Sequence, residues 1–506
     1  MKKSKLYQYI IAGLTASFVA GCGFFTDHES EVIRPEIASH WQYFEYDDII
    51  KKNKKSISNI RYQNFFLNPE FVAMIDLALN NNKDLKIATL RAKTAFDYYR
   101  VKRGDLLPSV AAGANASRQK VSRNSMNRFG NNFQAANSFI VNNYEANIAT
   151  ASIELDLFNK LKYINESAFN DFLSKMENQN AVRTVTIGQA ARSFINLQAS
   201  EKIRQLAQEI LTFEEEKMKI AKSKHENGLI SEEEMLRASN NLQDMKSQFA
   251  NLTKNTEQDK NNLINILGLA DDNKIKSLDF NQIKLNDKSF IDISSEILLL
   301  RPDVVAAEFE LYAMDANIKV ARASYFPSIS LTGSYGFVSN KFSNLISSDN
   351  SGTWSFGTGI NIPIFSGFKN SANLERRKAE REMALANYQK TLQAAFKEVA
   401  DLLATRKYNK NNLKATQEIE KSSQNIASKA ATFFDIGSKN KIDLINSEQE
   451  HLQNKIKLII AKQQHLNNEV SLYQALGAGM MRYTSTLDEI EPEVQQQDLQ
   501  PAIIKG

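Results

Sequence analysis

The sequence predicts a mainly α-helical protein with a β-barrel component, in which each chain carries two helix–strand–strand–helix repeats. Three observations support this fold class. Two long stretches of the chain contain no proline, five short sequence markers recur in the same order, and two pairs of segments alternate apolar with small or polar residues. The first observation predicts long helices, the second a duplication, and the third strands.

Composition excludes several classes of protein. The 506 residues are 42% hydrophobic and 24% charged, which is typical neither of a disordered chain nor of a multi-span helical membrane protein. The net charge of +5 is too small for the basic stripe of a nucleic-acid-binding protein, so no nucleic-acid partner is expected. A single cysteine and five histidines without i, i+4 spacing predict neither an internal disulfide nor a metal site. No cofactor is expected.

The N-terminus has the features of a secretory signal peptide. Three lysines precede a short apolar run, residues 10–20, that is too short to span a bilayer. The run ends in Val19–Cys22, which resembles a bacterial lipobox, where the cysteine is diacylated and becomes the first residue of the mature chain. Removal of residues 1–21 leaves a mature charge of +2. Gly23 permits export to the outer membrane by the sorting rule for lipoproteins.

Cys22 is therefore predicted to carry the lipid. One acyl chain gives only marginal membrane binding, so a secure attachment needs several chains together with inserted strands. We expect Cys22→Ser to abolish incorporation of radiolabelled palmitate, because the acylated thiol is absent. Label that persists on the serine variant would contradict this assignment, whereas membrane insertion of the strands is expected to survive the change.

Long helices are predicted in the two proline-free stretches, residues 109–301 and 364–491. Between Ile442 and Tyr473, steps of three and four residues define a coiled-coil seam in which eight of the ten positions are apolar. A similar seam between Met235 and Ile266 weakens near its middle. A helix over about residues 160–227 would be on the order of 100 Å long.

Five markers show that the chain repeats itself. The two upstream markers recur after 219 residues and the three downstream markers after 207 or 209. The pairs are Asn82–Leu85 with Arg301–Val304, Leu107–Ser109 with Phe326–Ser328, Leu155–Phe158 with Ile362–Phe365, Asn227–Gly228 with Ile436–Gly437, and Leu267–Gly268 with Leu476–Gly477. The offset falls by 12 between the second and third markers, so the first repeat has about a dozen extra residues in Ser122–Asn143. A duplication with one variable loop explains this pattern.

Between the second and third markers, each repeat changes from a helical period to a period of two residues. The predicted strands are about 109–118 and 144–157 in the first repeat, and about 328–338 and 354–364 in the second. Each has one apolar face and one small or polar face, which is typical of outer-membrane barrels. Because about eight strands is the lower limit for a barrel, four strands cannot close one, and several chains must contribute.

The pattern of the third strand also predicts which side chains face lipid. A soluble, half-buried hairpin is the alternative, but a lone hairpin is only marginally stable. We expect lipid contact for Ile329, Leu331, Tyr335 and Phe337, and a lumenal position for Ser330, Thr332 and Ser334.

Together these residues resemble the TolC-like outer membrane efflux family, and its lipidated branch in particular. The resemblance rests on Cys22, the two repeats, the Pro-Ser entries at Pro108 and Pro327, the exit Ile362–Gly367, and a glycine at each helical turn. It covers about residues 68–477. It implies a homotrimer in which twelve strands form an outer-membrane β-barrel on a long periplasmic α-helical barrel, with an equatorial belt formed by segments near the termini.

The resemblance implies a passive exit duct for small molecules and drugs. The duct would receive substrate from an inner-membrane pump of the resistance–nodulation–division class through a periplasmic adaptor, or membrane fusion protein. A duct for type I protein secretion and a structural periplasmic coiled-coil lipoprotein are the alternatives. The second of these leaves the period-two strands unexplained. An enzyme is not expected, since the sequence has no nucleophile elbow and no phosphate loop opening a helix.

These expectations divide the chain into six segments. They are a lipoprotein signal peptide (1–21), a lipidated N-terminal and equatorial segment (22–67), a first efflux repeat (68–270), an equatorial linker (271–290), a second efflux repeat (291–480) and a C-terminal tail (481–506).

The resemblance places the periplasmic entrance at the two helical hairpin turns. Glycine suits such turns because the backbone takes a positive φ. The tips, which would contact the adaptor, are Gly228 and Leu229 in the first repeat and Gly437 and Ser438 in the second.

Three charged residues near these turns match a gate. Asp443 falls where a family aspartate rings the aperture, while Glu234 and Lys439 match the acidic and basic partners of a latch. Asn446 stands where a second ring of aspartates would lie, and Phe434 replaces a tyrosine of the latch. Lysine lacks the bidentate fork of arginine, which weakens the latch. The alternative is that all three are ordinary solvated charges on helices.

Overall fold

The structure is a computed structural model that describes residues 61–121, 139–286, 295–346 and 351–477. The predicted signal peptide, Cys22 and the C-terminal tail lie outside the described residues. The domain boundaries given above therefore stay predictions.

Helices dominate the described chain. They are α1 (Tyr62–Phe65), α2 (Pro69–Asn81), α3 (Lys83–Gly104), α4 (Lys160–Glu226), α5 (Glu232–Leu267), α6 (Pro302–Ala323), α7 (Lys369–Asp435) and α8 (Lys441–Ala475). The strands are β1 (Ser109–Val121), β2 (Phe139–Leu155), β3 (Ser328–Ser339) and β4 (Gly352–Asn361). In the part of the chain that the structure describes, no helix is both long and apolar enough to cross a membrane.

The order of elements confirms the duplication. In the first repeat α3 leads through β1 and β2 to α4 and α5, and in the second α6 leads through β3 and β4 to α7 and α8. The helices that precede the strands have 22 residues each, and those that follow them have 67 residues each. Each 67-residue helix is about 100 Å long, at 1.5 Å per residue.

The core surrounds the middle of α4, which packs against α2, α3, α5, α6 and α8. Its centre is a group of buried aromatic rings. The rings of Phe65 and Tyr473 stack at 4.2 Å between centroids, and Phe71 meets Phe194 of α4 edge-on at 5.1 Å. Phe66 also forms an antiparallel bridge with Leu285. The N-terminal part of the described chain, the linker after α5 and the end of α8 therefore converge on α4.

The four strands form one antiparallel sheet in the order β1-β2-β3-β4. Several strand boundaries differ from the prediction by one to five residues, and two of the larger differences, given next, have a physical cause. β2 begins at Phe139 and not at residue 144, because Phe139 pairs with Val121 at the end of β1. β4 ends at Asn361 and not at residue 364, because Pro363 has no N–H to donate to the ladder. β1 and β4 are left as the edges of the sheet within one chain.

A bulge in β2 explains the change of phase in its sequence. The pairing with β3 shifts between Asn147 and Ala149, so Ile148 is an extra residue on β2. Even-numbered residues before the bulge, such as Tyr144, and odd-numbered residues after it, such as Ile153, therefore share one face. The alternation of apolar residues, which changes along the sequence from even positions (Tyr144, Ala146) to odd positions (Ile153, Leu155), is therefore continuous in the sheet.

The register gives the sheet one apolar face and one polar face. Ile329, Leu331 and Tyr335 of β3 pair with Ile360, Thr358 and Trp354 of β4, and this face is largely exposed in the single chain. The opposite face carries small and polar side chains. On β3 and β4 the polar side chains of this face are Ser328, Ser330, Thr332, Ser334, Thr353, Ser355 and Asn361.

Candidate functional site

Two tight turns join the long helices at their far ends, and they share one backbone geometry. Gly228 and Gly437 have φ of +67° and +73°. The N–H of Leu229 donates to the carbonyl of Lys224 at 2.8 Å, and that of Ser438 donates to the carbonyl of Phe433 at 2.8 Å. No atom lies within 4 Å of the position a Cβ would take on either glycine, so the positive φ and not lack of space requires glycine here.

Both returning helices begin with a side-chain cap. Ser231 caps α5, where its hydroxyl accepts from the N–H of Glu234 at 3.2 Å. Asn440 caps α8, where its side-chain oxygen accepts from the N–H of Asp443 at 3.0 Å. Glu234 and Asp443 are 209 residues apart and hold the same position in the first turn of their helices. The two predicted acidic gate residues are thus equivalents in the duplicated structure.

The carboxylates of Glu234 and Asp443 differ in their contacts. The Glu234 carboxylate returns to its own cap, where it accepts from the N–H of Ser231 at 3.0 Å. Aspartate is one methylene shorter, and the exposed Asp443 carboxylate has no hydrogen-bond or ion-pair partner among the described residues. Lys439 forms no ion pair with Glu234 in the part of the chain described here. The predicted latch, an ion pair between Lys439 and Glu234 of neighbouring hairpins, stays a prediction.

The two tips differ in charge: the first is acidic, whereas the second mixes Lys439 and Lys441 with Asp435 and Asp443. Three glutamates, Glu232–Glu234, open α5, where acidic side chains are favoured by the partial positive charge of a helix N-terminus. At the second tip, Lys439 and Lys441 flank the cap of α8. Lys441 lies 3.3 Å from the Glu216 carboxylate of α4 and 5.7 Å from the centre of the Phe434 ring, which stabilise a cation near this N-terminus.

Just inside the tips, a polar cluster joins α4 to α8 and so links the two repeats. It consists of Glu214 and Lys217 on α4 with Asn446 and Gln449 on α8. The Lys217 ammonium lies 2.7 Å from the Glu214 carboxylate and donates to the Gln449 amide oxygen at 2.8 Å. Lys217 also donates to Asn446 at 3.3 Å, and the Gln449 amide donates back to Glu214 at 3.0 Å. Gln449 is only 6% exposed, so these bonds satisfy a buried amide.

This two-repeat arrangement has known counterparts. The sequence profile of the family described as outer membrane efflux protein matches residues 74–269 and 293–478, which is more than half of the chain. The chain belongs to the outer membrane efflux protein family. The predicted family is confirmed, and with it an outer-membrane location and a mainly helical fold with barrel strands.

Relatives and solved structures agree over nearly the whole chain. The efflux protein is 30% identical over 481 residues to a probable efflux pump outer membrane protein, TtgC, of Pseudomonas putida, covering 94% of this chain and 96% of that one. It is 28% identical over 483 residues to the cation efflux system protein CusC of Escherichia coli O157:H7, covering 95% and 99%. The open-state structure of the MtrE outer membrane channel of Neisseria gonorrhoeae superposes with a TM-score of 0.75 at 27% identity, covering 90% and 98%.

The structure of the efflux protein places the predicted tip and gate residues at the hairpin turns, but it does not pair Lys439 with Glu234 among the described residues. Gly228, Gly437, Glu234 and Asp443 all lie at the hairpin tips, in pairs related by the duplication. Among the described residues, no group of histidine, cysteine or acidic side chains could hold a metal ion.

Sequence reasoning on this efflux protein missed the α4–α8 cluster, although a signal for it existed. Only Gln449 and Gln463 interrupt the apolar seam of α8. The Gln449 amide donates a hydrogen bond to the Glu214 carboxylate of α4. The Gln463 amide donates to the side-chain oxygen of Asn196, also on α4, at 2.9 Å. A polar residue in a buried seam needs a partner and fixes the register of the helices. The sequence marked the positions but not the helix that supplies the partners.

The inner ends of both hairpins of the efflux protein are held by equivalent contacts. Asn82, which caps α3, donates to the carbonyl of Ile266 near the end of α5 at 3.1 Å. Arg301, which precedes α6, donates to the carbonyl of Ala475 at the end of α8 at 2.6 Å. Burial acts to lower the pKa of Arg301, but the hydrogen bond and charge of Asp303, with those of Glu398, outweigh burial and raise that pKa. Arg301 therefore stays charged and braces α8.

Proposed function

We propose that this protein is the outer-membrane exit duct of a tripartite efflux system, working as a homotrimer with a periplasmic adaptor and an inner-membrane pump of the resistance–nodulation–division class. The observation that carries the proposal is the four-stranded sheet with two amphipathic faces and two unpaired edges, within a chain of the efflux family. The names of TtgC and CusC place those relatives in efflux systems.

The sheet edges support closure between copies. Within one chain every residue of β4 is exposed, as is every residue of β1 except Val121. Exposed edges of this length pair readily with another chain. Because each copy supplies four alternating strands, β1 of one copy runs antiparallel to β4 of the next around a ring. Three copies make a barrel of twelve strands, which clears the lower limit of about eight.

An exposed apolar seam on α7 supports contact between copies along the helices. Ile419, Ile426 and Phe433 follow one another at intervals of seven residues and are 50%, 49% and 44% exposed. A heptad spacing of apolar residues is the pattern of a coiled-coil contact. Such a seam, open in the single chain, is suited to bury its side chains against a helix of a neighbouring copy.

The dimensions of the sheet support a membrane position. From Ser328 to Phe337, β3 spans nine residue steps, or roughly 30 Å, which the usual tilt of barrel strands reduces to a height of about 25 Å. That height matches the apolar band of outer-membrane barrels. The polar face then lines the lumen, and Leu331 faces lipid.

The function can be tested in cells that lack the gene. We expect the deletion strain to accumulate a fluorescent pump substrate such as ethidium several-fold more than the parent, and the full-length chain to reverse this. An unchanged accumulation together with loss of a secreted protein from the medium would support the type I secretion duct instead. The structural lipoprotein alternative predicts that neither changes.

We further propose that Asp443 forms a three-fold acidic ring at the periplasmic aperture. Its carboxylate is exposed and free of partners among the described residues, and it follows directly on the Gly437 turn. Carboxylates around a narrow opening attract hydrated cations and favour cations over anions. Asp435, on the other side of the same turn, is an exposed aspartate that serves as a matched control.

In planar bilayers, Asp443→Ala is expected to reduce cation preference and to weaken block by divalent cations from the periplasmic side several-fold. Asp435→Ala removes the same charge and should leave both quantities near their wild-type values. Equal effects from the two variants, or none from Asp443→Ala, would show that Asp443 is an ordinary surface charge. In the same recordings Lys439→Glu tests the latch with Glu234, because a broken latch raises conductance.

A further inference from the structure

The four-stranded sheet separates its charges by face. Among the described strand residues, Arg118 and Lys120 are the only basic side chains, and Glu145 and Glu154 are the only acidic ones. Glu154 pairs with Ser330 on the polar face, and Glu145 lies on that face as well. Arg118 and Lys120 lie on the opposite face, in line with the apolar side chains. Both cations are thus on the side that the proposed function turns toward lipid.

The two cations lie at the end of the sheet that is farthest from the long helices. Ala116 pairs with Tyr144, and Arg118 follows two residues later on the same face. Two residues of an extended strand advance about 7 Å. The Tyr144 ring packs edge-on against Phe342 at 5.7 Å between centroids. Arg118 and Lys120 therefore lie beyond an aromatic level of the kind that marks the edge of the apolar band in barrels.

Further rings lie just inside the same level. Tyr335 and Phe337 of β3 have centroids 6.3 Å apart, and Trp354 of β4 pairs with Tyr335. All three lie on the apolar face. A cation within the apolar band would be costly, but one just outside the aromatic level meets the polar headgroups.

Arg118 and Lys120 are exposed, and neither has a hydrogen-bond or ion-pair partner among the described residues. Two cations two residues apart on one strand face repel each other unless an anion lies between them. The planar guanidinium of arginine matches the oxygens of a phosphate, and the lysine ammonium binds phosphate as a point charge. An anion bound between the two cations would offset their repulsion, and at this level the membrane surface is a source of anions.

We propose that Arg118 and Lys120 bind the phosphate groups of a phosphorylated glycolipid headgroup in the outer leaflet. The proposal rests on the proposed function, which places the sheet across the outer membrane with the helices in the periplasm. Because β1 is an edge strand, the bound lipid lies over the joint between two copies. It would thereby contact the boundary where β1 meets β4 of the neighbouring copy.

The chain offers a matched control pair. Arg91 and Lys93 of α3 have the same residue types and the same spacing, and both are exposed without an ion-pair partner among the described residues. They lie on a helix outside the sheet. Neutralising either pair removes the same net charge from the protein, so only position distinguishes the two variants.

The test measures lipid retained by the full-length trimer in neutral phosphatidylcholine nanodiscs, with bisphosphorylated lipid A as the probe and native mass spectrometry as the readout. Each basic residue near a charged headgroup contributes enough that loss of both lowers affinity about thirtyfold. We expect that loss for R118Q/K120Q and near wild-type retention for R91Q/K93Q. R118K/K120R keeps both charges and is expected to retain most of the binding.

Three results with the lipid probes alone would overturn the proposal. They are unchanged retention by R118Q/K120Q, equal loss from both neutralised pairs, and equal retention of a lipid A analogue that lacks phosphate. Complete displacement of the retained lipid by millimolar inorganic phosphate would likewise overturn the proposal, because it would assign the site to the free ion and not to a headgroup held in the membrane. Trimer formation and single-channel conductance are recorded on the same samples. If R118Q/K120Q still conducts while it loses lipid, the duct function stands independently of the lipid site.

Discussion

Replacing Leu331 by arginine is expected to abolish most recovery of assembled protein from the outer membrane. Leu331 lies on the apolar face of the sheet, paired with Ile153 on β2 and Thr358 on β4. A lipid-facing arginine near the bilayer midplane costs about 2–4 kcal/mol. The proposed trimer carries the substitution three times, so the cost applies to each copy that inserts. The measurement is the amount of heat-modifiable trimer in outer-membrane fractions.

Thr332 provides the control one residue away. Its side chain lies on the opposite face, where its hydroxyl donates to the carbonyl of Gly357 at 3.4 Å. A lumenal arginine stays in water, so Thr332→Arg should leave trimer yield largely unchanged. If both variants lost the trimer equally, the assignment of the two faces would be wrong.

Gly268→Ala is expected to destabilise the folded protein by about 2–5 kcal/mol, from a left-handed backbone and from overpacking. Gly268 ends α5 with φ of +63°. A Cβ at this position would lie 2.6 Å from the carbonyl oxygen of Asn81, and backbone cannot move aside as a flexible side chain can. The same segment holds the Asn82 contact to Ile266, so the inner end of the first hairpin should loosen.

A substitution at Gly477 separates the backbone cost from the overpacking cost that Gly268→Ala combines. It has φ of +65°, but a Cβ there would be 3.6 Å from its nearest neighbour, Arg301, which is ordinary contact. Gly477→Ala should therefore show only the backbone cost of about 1–2 kcal/mol. The temperature at which the purified trimer dissociates in dodecyl sulfate measures both variants. Equal shifts for the two would show that the contact with Asn81 is relieved by movement elsewhere.

Much of this fold could be predicted from the sequence because its signals are local. Proline marks where helices begin, as at Pro302, and glycine at positive φ marks where they turn, as at Gly228 and Gly437. The weak point of the α5 seam is explained by one contact within α5 and one contact to α4. Thr256 is buried there because its hydroxyl bonds the carbonyls of Leu252 and, on α4, Ser200.

Contacts between distant parts of the chain were harder to predict. The bulge at Ile148 is defined by how β2 pairs with both of its neighbours, and one of them, β3, lies more than 170 residues later in the chain. The Lys217 contact with Gln449 joins residues 232 apart, and no spacing rule relates two helices of different repeats. At the tips, the gate roles of Glu234 and Asp443 stay predictions, and the contacts of the two residues depend on how Ser231 and Asn440 cap their helices.

The two bare edges of the sheet determine how the protein can assemble. The free edge of β1 and the free edge of β4 belong to opposite sides of one sheet, so in the proposed homotrimer the copies join head to tail. Any open chain of copies, whatever its length, then still has one unsatisfied edge at each end, and only ring closure removes both. A partial assembly gains contacts between copies but keeps one unpaired β1 edge and one unpaired β4 edge. It is therefore short-lived or prone to aggregation. The last copy to join thus contributes two new interfaces at once, and assembly should be all-or-none.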